Sequence, residues 1–252
     1  MAKFDRAALE DRLDGLVAEN RFTIAVVFPA IGAVMLVASA EGWFPGILEF
    51  NPYLVLFGTA VMRLPLIAGV APLIDRRAGL AIVGLTLYTY GIEFLGVLTG
   101  LPYGDFEYVI DLGPMLLDTV PAALPIFFFP LVLNAYLLCL LLLGDRAALT
   151  RVRLPAVIAT VLAMDLVLDP GAVGLGFWAY ADPLAGDGLW ASATAIHFYG
   201  VPLSNYLGWV LSASVAVLAF DLGFQRAGLL DRLERTGFML DDLVSFVLLW
   251  GA

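Results

Sequence analysis

The sequence is poor in residues that hold metals, form disulfides or attach prosthetic groups. Its one cysteine, Cys139, cannot form an internal disulfide and lies in a leucine-rich stretch, where we interpret it as a packing residue. The sequence has one histidine, His197, and no clustered cysteines, which argues against a zinc site. The one lysine, Lys3, precedes the first long apolar run, which excludes the usual attachment of retinal within a bundle. Nucleotide and phosphate-loop motifs are also absent, so we predict no metal and no cofactor.

Charged residues are scarce as well. Only 14% of the 252 residues are charged and 62% are hydrophobic, with a mean hydropathy of +0.94, whereas about a quarter of a soluble domain is charged. The net charge of −10 argues against nucleic acid or anionic lipid as a main partner. Arginine outnumbers lysine by 12 to 1 and aspartate outnumbers glutamate by 16 to 7, a composition we expect in a salt-rich cytoplasm.

Long apolar runs predict an all-α, polytopic bundle of transmembrane helices. About 20 helical residues cross the hydrocarbon of a bilayer and satisfy their own backbone groups. We predict seven spans, at residues 22–41, 53–74, 79–100, 120–143, 153–169, 201–220 and 237–252. Residues 1–21 are predicted to form a cytoplasmic amphipathic lead, and residues 22–252 a single transmembrane domain in the cell membrane. The first span is expected to serve as the anchor, because no signal peptide precedes it.

The basic residues predict the orientation of these spans. The alternate loops at 42–52, 101–119 and 170–200 contain no lysine or arginine, and twelve of the thirteen basic residues lie on the other side. The positive-inside rule therefore places the N-terminus in the cytoplasm and these three loops outside. The exception is Arg63, in the middle of the second span.

Several polar side chains lie within the predicted spans. An ionisable group there costs roughly 2.5–3.5 kcal/mol on insertion scales, so such a group is first interpreted as functional. The polar residues are Arg63, Glu93, Asn134, Asp165, Asp169 and Asn205. Asp165 and Asp169 are four residues apart and share one helical face. The predicted topology brings the three carboxylates and Asn205 together in the outer leaflet, with Arg63 just beneath them.

Structural interpretations compete with the functional one. Arg63 and Glu93 could form an ion pair that only joins two helices. Asp169 precedes Pro170, so its role could be limited to ending its helix. His197 is more often an interfacial residue than a catalyst. The outer carboxylates Asp105, Glu107, Asp111 and Asp118 could bind a hard cation, but solvated loop charges are the simpler interpretation.

The buried polar residues suit acid–base chemistry on an apolar molecule. Carboxyl groups in different surroundings have different pKa values, so one can act as a proton donor while another acts as a base. Glu93 or Asp165 would protonate an alkene, Asp169 would deprotonate the attacking water, and Arg63 would bias the pair. Asn205 and Tyr103 would orient the water. The remaining predicted substrate contacts are Asn134, Trp178, Tyr199 and Trp209, whose aromatic members can stabilise a carbocation.

Four segments resemble the integral-membrane carotenoid hydratases. They are residues 90–108 (YGIEFLGVLTGLPYGDFEY), 165–170 (DLVLDP), 176–180 (GFWAY) and 199–209 (YGVPLSNYLGW). The resemblance implies cofactor-independent addition of water to the terminal isoprenoid double bond of an acyclic carotenoid. In the salt-loving archaeal branch, this would convert bisanhydrobacterioruberin to bacterioruberin. The implied partners are the carotenoid, water, the bilayer and other membrane enzymes of the carotenoid pathway. Residues 120–127 depart from the expected pattern, and residues 1–50 and those beyond 220 carry no recognised motif.

Two other functions remain open from the sequence. A carotenoid ring cyclase would begin with the same protonation, but an internal double bond would then attack in place of water. A proton or solute transporter would also use buried carboxylates. Against transport, corresponding halves of the chain show no paired short or interrupted spans.

Overall fold

The computed structural model describes residues 5–181, 183 and 188–251, most of them in α-helices. The helices are α1 (Arg6–Glu19), α2 (Phe28–Ala40), α3 (Pro52–Met62), α4 (Leu64–Val70), α5 (Arg76–Thr99), α6 (Leu124–Leu143), α7 (Thr150–Gly174), α8 (Leu189–Ala195), α9 (Leu203–Gly223), α10 (Arg226–Thr236) and α11 (Asp241–Trp250). Short strands lie between them: β1 (Phe106–Tyr108), β2 (Met115–Leu116), β3 (Val120–Pro121), β4 (Trp178–Tyr180), β5 (His197–Phe198) and β6 (Val201–Pro202). They pair antiparallel as β1–β4, β2–β3 and β5–β6.

Several of these helices are long and apolar enough to cross a membrane. In the described part of the chain there are five: Thr23–Ala40, Arg76–Thr99, Leu124–Ala148, Thr150–Gly174 and Leu203–Gly223. A sixth results if Pro52–Met62 and Leu64–Leu73, which are bent by 45° at Arg63, cross the membrane together. The prediction of an all-α fold is confirmed, and five or six of the described helices are long and apolar enough to span a membrane.

The bend between α3 and α4 has a local cause in the sequence. Pro65 occupies the second position of α4, where it has no N–H to donate and its ring crowds the carbonyl group four residues earlier. The helix therefore breaks at Arg63, which ends α3 and begins α4. The arginine in the middle of the predicted second span thus lies at a kink.

Helix α11 is shorter than the predicted seventh span at residues 237–252. Its ten residues rise roughly 15 Å, which is about half of the ~30 Å hydrocarbon core. The seventh span therefore stays a prediction. The two carboxylates at the start of α11, Asp241 and Asp242, are buried in the bundle.

Helix α7 extends further than the predicted fifth span at residues 153–169. It continues through Pro170 to Gly174. The interpretation of Asp169 as a residue that only ends its helix is therefore wrong. Asp169 lies within α7, one turn after Asp165, and both side chains are buried.

Helix α6 lies at the centre of the core. A run of its residues from Phe128 to Leu140 is buried, with Tyr136, Leu137 and Leu140 fully inaccessible. It packs on α7, and α9 in turn packs on both α5 and α7. Because these four helices carry Glu93, Asn134, the two aspartates and Asn205, their packing brings the predicted polar residues into one bundle.

Ion pairs join the helices at the end of the bundle that carries most of the basic residues. The pairs are Arg21–Asp241, Arg153–Asp221 and Arg232–Asp14. Arg232 also donates to the carbonyl groups of Ala68 and Gly69 in α4. These contacts fix α1 and α10 against α4.

The ring of Tyr103 lies between α5 and α9 because both helices have a glycine at the contact. A Cβ atom on Gly208 would lie 2.4 Å from Tyr103 Cδ1, and one on Gly96 would lie 3.2 Å from Tyr103 Cδ2. Such short distances leave no room for a methyl group at residue 208. The two glycines therefore allow the loop after α5 to insert an aromatic ring between the helices.

Substitution of Gly208 tests this packing. Gly208→Ala should destabilise the protein by about 1–3 kcal/mol, because the new methyl group overlaps a ring that is fixed on both sides. The matched control is Gly91→Ala in α5, where a Cβ atom meets nothing within 4 Å and helix propensity favours alanine by up to ~1 kcal/mol. Thermal unfolding in detergent should show a lower midpoint only for Gly208→Ala, and equal midpoints would contradict the proposed packing.

Candidate functional site

Two helices bring two of the three predicted carboxylates together through an asparagine. Asp165 and Asp169 lie on one face of α7, and Asn205 lies in the first turn of α9. Asn205 Nδ2 donates to Asp165 Oδ2 at 3.2 Å and also to Asp169 Oδ2. All three side chains are buried, with Asp165 at 0% exposure. One amide group therefore holds both aspartates in place.

A two-stranded ribbon supplies hydrogen-bond donors to the carboxylates. Strand β1 follows α5 and strand β4 follows α7, and they pair so that Tyr108 lies opposite Trp178 and Phe106 opposite Tyr180. Tyr108 donates its hydroxyl proton to Glu93 Oε1, and Tyr180 donates to Asp169 Oδ2 at 3.5 Å. The ribbon therefore contacts carboxylates of two different helices.

Both ribbon tyrosines remain protonated donors. Burial, followed by the charge of Glu93, raises the pKa of Tyr108 above its ordinary value. Burial, followed by the charge of Asp169, raises the pKa of Tyr180 in the same direction. Because both phenols keep their protons, each can donate a hydrogen bond to the neighbouring carboxyl group.

A largely apolar cavity lies beneath the ribbon. Its volume is about 210 Å³, and its aromatic walls are Phe50, Tyr103, Phe106, Tyr108, Phe127, Phe128, Phe177, Trp178, Tyr180, Trp209, Phe246 and Trp250. Phe128 and Trp209 stack with their ring centroids 5.6 Å apart. Such a space suits the end of a hydrocarbon chain, because apolar walls surround a few polar groups.

Most of the predicted site residues line this cavity. They are Arg63, Glu93, Tyr103, Asn134, Asp169, Trp178, Asn205 and Trp209. Asp165 is not among the lining residues and lies behind Asn205, where its Oδ1 atom has no hydrogen-bond partner in the described part of the protein. Sequence-based reasoning therefore identified the polar and aromatic walls of one shared space.

Tyr199 lies away from the cavity, contrary to the predicted contact with substrate. It forms the turn between β5 and β6 together with Gly200, and both residues have positive φ angles of 48° and 82°. A two-residue hairpin of this kind exposes its tip, and Tyr199 is 79% exposed. His197, at the start of the same hairpin, is also exposed.

Arg63 is placed differently from the prediction. Its Nη1 atom donates to Asp242 Oδ1 at 2.6 Å, in a pair whose side chains are only 10% and 0% exposed. Asn134 Nδ2 donates to the other carboxylate oxygen of Asp242 at 2.5 Å. Among the described residues, no arginine forms an ion pair with Glu93 or the two aspartates of α7. The competing interpretation, in which Arg63 and Glu93 form an ion pair that joins two helices, is therefore wrong.

The sequence interpretation missed three residues of this arrangement. Asp242 was not identified, although a lone arginine in a span needs a buried counter-ion. Tyr108 and Tyr180 were identified only as members of the motifs at residues 90–108 and 176–180. The strand pairing that carries them over the carboxylates joins segments about seventy residues apart, which no local pattern indicates.

Metal ligation finds no support in the described geometry. Across residues 5–181, 183 and 188–251, no group of three or more histidine, cysteine, aspartate or glutamate side chains is arranged to hold a metal ion. The outer carboxylates considered for a hard cation, Asp105, Glu107, Asp111 and Asp118, are exposed to solvent. They are therefore exposed loop charges, and Asp111 also lines the cavity.

Comparison with known proteins shows the family to which the chain is similar. The profile of a family described as carotenoid biosynthesis protein matches residues 50–252. A bisanhydrobacterioruberin hydratase from Haloarcula japonica is 67% identical over 240 residues, which cover 95% of this chain and 78% of that protein. No solved structure matches the chain. The matched region contains almost all of the residues that line the cavity.

The buried pair of Arg63 and Asp242 should stabilise the bundle. Arg63→Met should destabilise the protein by about 3–5 kcal/mol, because it leaves the Asp242 carboxylate buried without a counter-ion. The double variant Arg63→Met/Asp242→Leu should recover most of this loss. Thermal unfolding in detergent measures both effects.

The matched control for this prediction is Arg235→Met. Arg235 forms an exposed pair with Asp231, whose side chains are 66% and 64% exposed. Such a pair contributes little, because solvent screens it. Equal unfolding midpoints for Arg63→Met and Arg235→Met would refute a stabilising buried pair.

Proposed function

The chain belongs to the carotenoid biosynthesis protein family, and from this premise we propose that it adds water to bisanhydrobacterioruberin to form bacterioruberin. The 67% identity to a hydratase of that substrate supports the reaction and the substrate. The observation that carries the proposal is that Glu93 and Asp169 line one apolar, aromatic cavity. A membrane enzyme that hydrates an alkene needs both a proton donor and a proton acceptor beside an apolar chain.

Glu93 is the proposed proton donor. It lines the cavity, and its Oε1 atom already accepts a hydrogen bond from Tyr108, which leaves Oε2 to carry the proton. The O–H bond of Glu93 breaks as a new C–H bond forms at the terminal alkene, and a tertiary carbocation results. Asp165, the alternative donor, is less suitable because Asn205 separates it from the cavity.

The aromatic walls stabilise the carbocation. Trp209 is stacked on Phe128, and Trp178 lies on the ribbon strand opposite Tyr108. The face of an indole ring attracts a positive charge, by up to about 2 kcal/mol in a desolvated site. Because the walls contain few other polar groups, the cation meets few competing nucleophiles.

Asp169 is the proposed base for the attacking water. Asn205 orients the carboxylate, and Tyr180 donates to the same oxygen, Oδ2. Water forms the C–O bond and gives one proton to Asp169, so the product is a tertiary alcohol. Transfer of that proton from Asp169 back to Glu93 restores the starting state, and the reaction consumes only water.

Two predicted roles change in this mechanism. The hydroxyl group of Tyr103 forms a hydrogen bond with Ser212 at 2.7 Å, so Tyr103 supplies a wall and Asn205 alone orients the water. Arg63, paired with Asp242, does not bias the catalytic carboxylates. No cofactor takes part, because the side chains of the site provide both proton transfers.

The membrane arrangement is part of the proposal. The chain is a multi-pass protein of the cell membrane, with residues 1–21 on the cytoplasmic side and residues 22–252 as one transmembrane domain. Helix α11 begins where Asp241 meets Arg21 and ends where Trp250 lies against Gly171 of α7. It therefore forms part of the predicted seventh span. Association with other enzymes of the carotenoid pathway remains a prediction.

Substitution of the proton donor tests the mechanism. Glu93→Gln should lower hydration by at least about 100-fold, because an amide cannot provide the acidic proton. The variant is expressed in a host that makes the unhydrated acyclic carotenoid, and the pigments are separated by chromatography. A hydrated product is heavier than the substrate by one water, whereas a ring-cyclase product is an isomer.

Glu107→Gln is the matched control. Glu107 is exposed and precedes Tyr108 on the ribbon, so this substitution changes the same type of side chain without touching the cavity. It should leave hydration intact. Full hydration by a folded Glu93→Gln protein would eliminate Glu93 as the donor, and an isomeric product from the unchanged chain would favour the cyclase.

Cysteine labelling tests the orientation. In a background in which Cys139 is replaced by alanine, Asp118→Cys should react with a membrane-impermeant thiol reagent added outside intact cells. Glu234→Cys should react only after the membrane is opened. Both positions are exposed in the structure, so access across the membrane decides the result. The opposite pattern of labelling would reverse the proposed topology.

A further inference from the structure

The cavity has a second polar end at a greater depth than the carboxylates. Asn134 lies ten residues after Leu124, the first residue of α6, which is roughly 15 Å from the outer end of that helix. Glu93 lies six residues before Thr99, the last residue of α5, which is roughly 9 Å from its outer end. Arg63 and Asn134 line the cavity together with Glu93. The two polar ends are therefore separated by roughly 6 Å along the membrane normal.

Charge at this inner end is already balanced. Arg63 and Asp242 form one cation–anion pair, and Asn134 donates to Asp242. A charged ligand would add an uncompensated charge to a site that is almost closed to solvent. A ligand for this end is therefore neutral.

One acceptor at the inner end remains unused. Asn134 is 1% exposed, and its Oδ1 atom has no hydrogen-bond partner among the described residues. Its amide group is fixed, because Nδ2 donates to Asp242. Arg63 donates hydrogen bonds from Nε to the carbonyl oxygen of Ile126 and from Nη1 to Asp242. Its Nη2 atom makes no hydrogen bond in the described part of the chain. An unused acceptor and an unused donor thus border the same cavity.

We propose that the inner end of the cavity binds a hydroxyl group, which donates to Asn134 Oδ1 and accepts from the guanidinium group of Arg63. A hydroxyl group is neutral and offers one donor and one acceptor, as this site requires. It is carried either by the isoprenoid chain or by a bound water. The inference rests on the proposed function, because it assigns a second contact to the same substrate cavity.

A hydroxyl group on the chain would fix the position of the bound substrate. The reacting double bond lies beside Glu93, and the inner site is roughly 6 Å deeper, which is a few carbon–carbon bonds. The contact with Asn134 and Arg63 therefore requires a hydroxyl group a few bonds from the terminal alkene. Such a contact also fixes which carbon of the alkene faces Glu93.

Binding of two matched polyenes tests the subsite. Both end in the same terminal alkene, and only one carries a hydroxyl group a few bonds away. Quenching of tryptophan fluorescence reports binding, because Trp178, Trp209 and Trp250 line the cavity. The unchanged chain should bind the hydroxylated polyene about five- to tenfold more tightly than the other polyene. This is the difference in Kd expected from the net contribution of one hydrogen bond. Asn134→Leu should abolish this preference, so that this variant binds the two polyenes with the same Kd.

Thr160→Val is the control for loss of a partly buried polar group. Thr160 lies in α7, hydrogen-bonded to Cys139 and Ala156, and does not line the cavity. This variant should keep the full preference for the hydroxylated polyene. If Asn134→Leu does not fold, Asn134→Ser removes the amide oxygen with a smaller change and is measured in the same way.

The source of the hydroxyl group is distinguished by hydration rates. If it belongs to a bound water, the unchanged chain binds both polyenes equally, and the Asn134 variant hydrates both more slowly by the same factor. Equal binding together with unchanged hydration rates in the Asn134 variant would overturn the subsite. Absence of hydration by the unchanged chain would refute the proposed function instead, while the binding preference would still decide the subsite.

Discussion

Carboxyl groups placed in a lipid-spanning bundle require hydrogen-bond donors, because no bulk water is available to solvate them. The architecture around Glu93, Asp165 and Asp169 follows from this constraint. Asn205 supplies an amide group from a neighbouring helix, and a tyrosine from the ribbon supplies a hydroxyl group to Glu93. The donors come from elements distant in sequence, so the carboxylates hold the bundle and its outer loops together.

The same constraint separates charge within the cavity. Among the described residues, no arginine forms an ion pair with Glu93 or the α7 aspartates. The structure instead pairs Arg63 with Asp242 in a deeper layer, where Asn134 completes the contact. The outer end of the cavity therefore contains acids and neutral donors, and the inner end contains a balanced ion pair. This division allows proton transfer at one end and neutral recognition at the other.

Residue types and spacing predicted much of this arrangement. The rarity of charges in apolar spans identified the residues that line the cavity, and the four-residue spacing of Asp165 and Asp169 placed them on one face. The partner of Arg63 could not be predicted, because Asp242 lies 179 residues away in a helix too short to resemble a span. Nor could the ribbon be predicted, since its three-residue strands carry no strong β pattern. Tyr199 was misplaced because a motif gives a residue type but not the turn that exposes it.

The size of the cavity limits how a long polyene can bind. A volume of about 210 Å³ is below the ~300–1,000 Å³ of most pockets that enclose a drug-sized ligand. Only the end of a carotenoid can fit, and the apolar remainder of the chain is as stable in lipid as in protein. The enzyme therefore needs to recognise an end group and not a length. In the proposed orientation the acids lie about two helical turns below the outer surface, at the depth where the tip of a chain that crosses the bilayer would lie.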